Sequence, residues 1–217
     1  GLANTYAELN EFAKARRYYE KALATAKASK MTVTEAEIEA SLGNLAVLRG
    51  QYSEAIRFLE RSRQRYAELD MPHQSALADL EIADIYRELN LLGEAAEIYR
   101  RVAPEFVRLR LRAEEARSRL HYGRTAAALG DNRTAKRELE GALRLFRSEK
   151  NYSGQVAALS AMADLAIRQR HFGKAQKALA DAHATLRRDD DPRHEIAVKL
   201  LEGRALAGAG DSVRAGR

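Results

Sequence analysis

Cysteine and tryptophan are absent from this 217-residue chain, and proline occurs only three times. Without cysteine there is no disulfide, no thiol nucleophile and no cysteine-ligated zinc. That fits a reducing, cytoplasmic setting. No apolar run approaches the roughly 20 residues that a membrane span needs, and no signal peptide is visible. Scarce proline, with alanine, leucine, glutamate and arginine dominant, favours helix nearly everywhere. The chain opens without methionine, inside a first helix, and closes just into a last one, so it reads as a piece of a larger protein.

The residues of catalysis are scattered. His73, His121, His171, His183 and His194 fall at five different places, and no two stand four apart on a helix to hold a metal. Ser153–Gly154 and the run Gly208–Asp211 read as turns, because neither follows a strand as a nucleophile elbow or a phosphate loop would. The sequence therefore points away from an enzyme and implies no cofactor. The net charge is +6, and Arg100, Arg101, Arg108, Arg110, Arg112, Arg117, Arg119 and Arg124 crowd the middle, which raises nucleic acid as a partner. Against it, those arginines fall on several helix faces and Glu97, Glu105, Glu114 and Glu115 interrupt them. Few aromatics remain for stacking. A charged solvent face is the better reading.

What the sequence does contain is a rhythm. Ala15, Ala55, Ala95, Ala135, Ala175 and Ala215 stand 40 residues apart, and Ala3, Gly43, Ala83, Gly123, Ala163 and Gly203 keep the same step twelve residues upstream. Two helices that cross closely need a small residue where their backbones approach. Leucine at Ala55 or Ala135 would overfill such a crossing, at a cost of roughly 1–3 kcal/mol. Between the two series, Gly50, Gly130 and Gly210, with Asn10 and Asn90, mark left-handed helix ends; Arg170 breaks this series. Two residues on, Phe12, Tyr52, Leu92 and Phe172 supply an apolar plug, with Asn132 and Ser212 as exceptions.

This frame resembles the tetratricopeptide repeat (TPR) family over essentially the whole chain. In the first repeat the pattern is Ala3, Tyr6, Asn10, Phe12, Ala15, Tyr19, Ala22 and Leu23; in the third it is Ala83, Tyr86, Asn90, Leu92, Ala95 and Tyr99, with Val102 in place of the last alanine. The usual unit is about 34 residues, whereas this one is 40. The longer variety is similar to that of kinesin light chains, of bacterial transcription regulators and of bacterial proteins associated with a caspase-like CHAT protease. The resemblance implies an all-α, right-handed superhelical solenoid of antiparallel helix pairs, a single array over residues 1–217. Its repeats fall at about 1–34, 35–74, 75–114, 115–154 and 155–194, with a partial sixth at 195–217.

Along the chain, Thr32 and Thr34 each offer a capping box, to Glu35 and Glu37. Asp70 suits a helix N-cap before Pro72. Pro104 lies inside a helix whose register continues through Phe106, which predicts a kinked rather than a broken helix. The alternation of Val107–Arg112 suggests a strand by itself, but its place in the repeat makes it a junction between helices. Asp191, in an acidic run, reads as a cap with Pro192 in the first turn rather than as a calcium loop.

In the family, the first helix of each pair lines the concave surface. Positions i, i+3, i+7 and i+10 share one helix face. They are Glu37, Ala40, Asn44 and Val47; Leu77, Leu80, Asp84 and Arg87; Arg117, Leu120, Arg124 and Ala127; Ala157, Ser160, Asp164 and Ile167; and Ala197, Leu200, Arg204 and Ala207. The resemblance assigns the third slot, here Asn4, Asn44, Asp84, Arg124, Asp164 and Arg204, to contact with an extended peptide. The paired lysines and asparagines of a carboxylate clamp are missing. The expected function is a protein- or peptide-binding scaffold that holds a partner segment with Asn44, Asp84, Arg87, Arg117, Arg124, Asp164 and Arg204 over a floor of Leu80 and Leu120. His121, on the surface of Arg124, reads as a further contact residue. The alternatives are self-association through array ends exposing Leu2, Leu200 and Leu206, and a regulatory arm of a protease-like or transcription-regulating protein.

Overall fold

Helices begin every 20 residues along nearly the whole chain. A computed structural model describes residues 1–188 and 191–210. Ser212 and Ala215 of the periodic series, Asp211 of the closing turn, and Asp189 and Asp190 of the acidic run lie outside the described residues. The helices are α1 (Leu2–Glu8), α2 (Phe12–Ala28), α3 (Thr32–Leu48), α4 (Tyr52–Glu68), α5 (Pro72–Glu88), α6 (Leu92–Arg108), α7 (Arg112–Ala128), α8 (Asn132–Ser148), α9 (Tyr152–Arg168), α10 (Phe172–Leu186) and α11 (Pro192–Gly208). No strand occurs among the described residues. The 40-residue step is thus two half-steps, each a helix of 17 residues and a link of three.

The links explain this regularity. From Asn10 to Arg170, the middle residue of every link is left-handed, with φ between 53° and 83°. The next N–H then bonds to the carbonyl five residues back: Met31 to Ala26, Gln51 to Ala46 and Leu111 to Phe106, each at 2.9 Å. This closes the helix end and reverses the chain into an antiparallel neighbour. Lys30, Asp70, Arg110 and Lys150 hold the position as Gly50 and Gly130 do, and Arg170 holds it too, at φ 59°. Side chains other than glycine therefore occupy the left-handed slot at seven of the nine links from Asn10 to Arg170.

Two capping expectations need correcting. Asp70 is the left-handed end of α4, with φ 53°, and Met71 precedes α5 without a side-chain cap. The link geometry likewise makes Met31 the N-cap of α3. Thr32 and Thr34 then fall inside the first turn, and Glu35 turns away to Arg65 at 3.2 Å. Where a side chain can cap, it does so at the next residue of the link: Asp131 accepts from Thr134 N at 3.1 Å, and Asn151 from Gly154 N at 2.7 Å. Asp191 accepts from Arg193 N at 2.9 Å, ahead of Pro192 in the first turn. Arg193 holds the Asp191 carboxyl down at about 2. α6 runs unbroken through Pro104, and Val107–Arg112 is helix end, link and helix start.

The chain divides into two compact units, Gly1–Glu105 and Phe106–Arg217, with the boundary inside α6 beside Pro104. In the first unit, each helix from α1 to α5 packs on the next. Ala15, Tyr19, Leu42 and Leu45 form one buried cluster, and Ala46, Ala55, Leu59, Ile82 and Ile85 another. In the second unit, one cluster runs from Ala116 to Ala205, and α9 packs against α7 and α11 as well as α8 and α10. Ala15, Ala55, Ala95, Ala135 and Ala175 are all 0% exposed. The upstream series explains itself by distance. A Cβ on Gly43 would stand 2.8 Å from Leu59 Cγ, and one on Gly123 would stand 2.7 Å from Leu139 Cγ. The small residues are where paired helices touch.

Candidate binding surface of the odd-numbered helices

The odd-numbered helices carry the predicted stripe. In the first unit, Asn4 of α1 accepts a hydrogen bond from Tyr19 Oη at 2.7 Å. Asp84 of α5 accepts one from Tyr99 Oη at 2.5 Å. Both tyrosines stand 15 residues after their partners, so one repeat position steadies the stripe residue of the helix before it. Burial, and then the Asp84 carboxylate, push the Tyr99 hydroxyl well above its ordinary value of 10, so it remains a neutral donor. Asn44 of α3 is exposed; its repeat has Leu59 where the first and third repeats have Tyr19 and Tyr99. Arg87 is half-buried, with Nη2 3.9 Å from Glu88 and a buried Nε that lacks a hydrogen-bond partner.

In the second unit the stripe is knit across helices. Arg204 Nη1 of α11 reaches Asp164 Oδ1 of α9 at 2.6 Å, and Arg168 Nε reaches the other oxygen of Asp164 at 2.7 Å. Arg124 Nη2 of α7 donates to the Ala157 carbonyl of α9 at 3.2 Å. The stripe positions Asp164 and Arg204, 40 residues apart, are therefore bonded to each other. Burial works to raise the Asp164 carboxyl, but Arg168 and Arg204 outweigh it, and it lies below the ordinary 3.8. Arg117 and Arg124 are exposed, and His121 is half-buried.

The apolar floor is a correction. Leu80 is 0% exposed and Leu120 6%. Each fills the core beneath its helix and has no surface to give a ligand. Their i+3 place within the stripe is a helix-wheel average; the core captures it because the adjoining helices close over that edge of the face. The sequence reading also missed members. Arg168 was legible as the i+4 partner of Asp164, and Tyr19 and Tyr99 could be found only by pairing two repeat positions across a turn. Ser160, in the stripe, is 8% exposed with an unpaired Oγ.

The geometry defines a class of protein, the helix-pair repeat scaffold. Residues 1–29 match the tetratricopeptide repeat family, and the fold of that family's proteins is recognisable across the chain. The apo form of RapI superposes with a TM-score of 0.85 at 16% identity, covering 98% of this chain and 59% of that one. A signal-transduction ATPase with a tetratricopeptide repeat sensor, from Pyrococcus horikoshii, gives 0.85 at 19% identity, over 99% of this chain and 33% of that one. The Rap conjugation gene regulator of plasmid pLS20, in complex with the Phr* peptide, gives 0.67 at 17%, over 88% and 53%. The chain thus spans between a third and about three-fifths of these proteins. No curated protein matches it. Among the described residues no helix is long and apolar enough to cross a membrane.

Proposed function

We propose that the chain is a protein- or peptide-binding scaffold that holds a partner segment along the exposed face of its odd-numbered helices. The supporting observation is the bonding of Arg204 to Asp164 and of Arg124 to the Ala157 carbonyl, which aligns charged groups of α7, α9 and α11 on one surface. In the second unit, Arg117, Arg124 and Arg204 suit acidic groups of an extended segment; in the first unit, taken by itself, Asn44, Asp84 and Arg87 suit the main chain and basic groups of such a segment. The peptide-bound Rap regulator, of like fold, is consistent with such a role. The test is a fluorescence titration with an extended, glutamate-rich peptide. Arg124→Glu and Arg204→Glu together should weaken binding about tenfold or more, and unchanged affinity would remove this surface from consideration.

A second reading is self-association within a larger regulatory protein. Leu2 and Leu200 are 64% and 65% exposed, although Leu206 is half-buried. Sedimentation across protein concentrations separates the two: a mass that rises with concentration favours this reading, and a constant monomer mass favours the first.

A further inference from the structure

The even-numbered helices repeat a groove of their own, and its two best-defined copies differ in a telling way. In the first unit it lies between α2 and α4 over α3, and almost no space remains in it, about 10 Å³. In the second it lies between α8 and α10 over α9, and it holds about 420 Å³. The two correspond at a spacing of 120 residues. The floors match: Leu42, Leu45 and Ala46 become Met162, Leu165 and Ala166. The closures do not.

Two side chains seal the first groove. Phe58 packs its ring on the core beside Leu42 and Leu45. Four residues before it, Glu54 is gripped by Arg16 through two bonds, Nη1 to Oε2 at 3.0 Å and Nη2 to Oε1 at 2.9 Å. In the second groove, Ala178 replaces Phe58, Lys174 replaces Glu54 and Lys136 replaces Arg16. The ring is gone, the carboxylate has become an ammonium, and an ion pair has become two like charges. Among the described residues Lys136 keeps one distant partner, Glu140 at 3.9 Å. Around the opening Lys136, Arg147, Lys174 and Lys177 face two carboxylates, Glu140 and Asp181, and neither Lys174 nor Lys177 is ion-paired among the described residues.

We propose that the α8–α10 groove docks an acidic helical segment of a partner protein, one carrying a large apolar side chain four residues after a glutamate. The ligand supplies from outside the ring and carboxylate that Phe58 and Glu54 supply within the first unit. The volume suits an aromatic side chain with part of its backbone. The spacing follows from α4 itself, where positions four apart share a face. The excess of positive charge sets the sign of the ligand. This site lies on other residues than the stripe of the odd-numbered helices and stands independently of it.

The test uses the full chain and a fluorescein-labelled alanine-based helical peptide with one Glu-x-x-x-Phe pair, titrated by anisotropy at low ionic strength. Saturable binding is expected. Lys174→Glu should weaken it several-fold, and Lys174→Glu with Ala178→Phe, which rebuilds the closed groove, about tenfold or more. A peptide with Phe replaced by Ala should lose affinity to a similar degree. Lys174 is exposed, so its variant reports even if Ala178→Phe fails to fold. Absence of saturable binding, equal affinity of the Phe-less peptide, or indifference to Lys174→Glu would each overturn the proposal.

Discussion

At the residue scale, the decisive positions are those with left-handed backbone. For a residue with a Cβ that conformation costs on the order of 1 kcal/mol, and glycine escapes the cost. Gly50 and Gly130 were therefore legible as helix ends, and Asn10 and Asn90 nearly so. Lys30, Asp70, Arg110, Lys150 and Arg170 were not, because nothing in a lysine or an arginine announces φ near 55°. Their conformation is imposed by the helices on both sides, whose packing leaves only a three-residue reversal. Lys150 is exposed, so glycine there should relieve strain without removing a contact. Lys150→Gly is expected to stabilise the protein by about 0.5–1 kcal/mol, whereas Gly50→Ala, at φ 68°, should destabilise it by a similar amount. Thermal unfolding of the two variants beside the parent checks both signs.

At the element scale, helices are matched by charge as well as by small residues. Glu39 of α3, 1% exposed, is held by Arg65 of α4 at 2.9 Å. At the same repeat position Asp79 of α5 faces Arg101 of α6 at 2.9 Å. In the next repeat the sign inverts: Arg119 of α7 bonds Glu138 of α8 at 2.8 Å. Such inversions are unreadable in a single sequence, since each charge by itself looks like surface.

Successive even-numbered helices are joined by the Arg16–Glu54 fork, and it makes a pH prediction. The bonds from Arg16 outweigh the effect of burial and hold the Glu54 carboxyl below its ordinary 4.5. A carboxylate lowered in the folded state contributes stability above 4.5 that is lost as pH falls through its folded value. Arg16→Gln should therefore cost about 1 kcal/mol near neutrality, the pair being partly solvated. The variant and the parent should converge below pH 4.5. Urea unfolding at several pH values measures that difference; a gap that persists in acid would assign the loss to packing instead.

At the scale of the whole molecule, the chain keeps one 40-residue register through two compact units. Their boundary falls beside Pro104, inside a helix that the proline deprives of a backbone donor. Pro104 is exposed, so its ring fills no core and alanine can replace it. Pro104→Ala should restore a hydrogen bond to the Arg100 carbonyl and stabilise α6 by about 1–3 kcal/mol. Slower amide hydrogen exchange at residues 100–108, with little change in the first turns of α6, is the expected sign.

By itself the sequence determined that the chain is helical, that its helices pair, and where nearly every pair turns, because a repeated small residue has one physical use, close approach of backbones. It also placed Asn44, Asp84, Arg124, Asp164 and Arg204 at one recurring slot on one face of the odd-numbered helices. Only the tertiary structure decided which members of that face remain outside. Leu80 and Leu120 share the wheel with Asp84 and Arg124, yet the adjoining helices bury them. It alone decided, too, that one groove of the even-numbered helices is closed and its counterpart open. Phe58 and Ala178, or Glu54 and Lys174, are unremarkable substitutions in a sequence, and their consequence exists only where three helices enclose a volume.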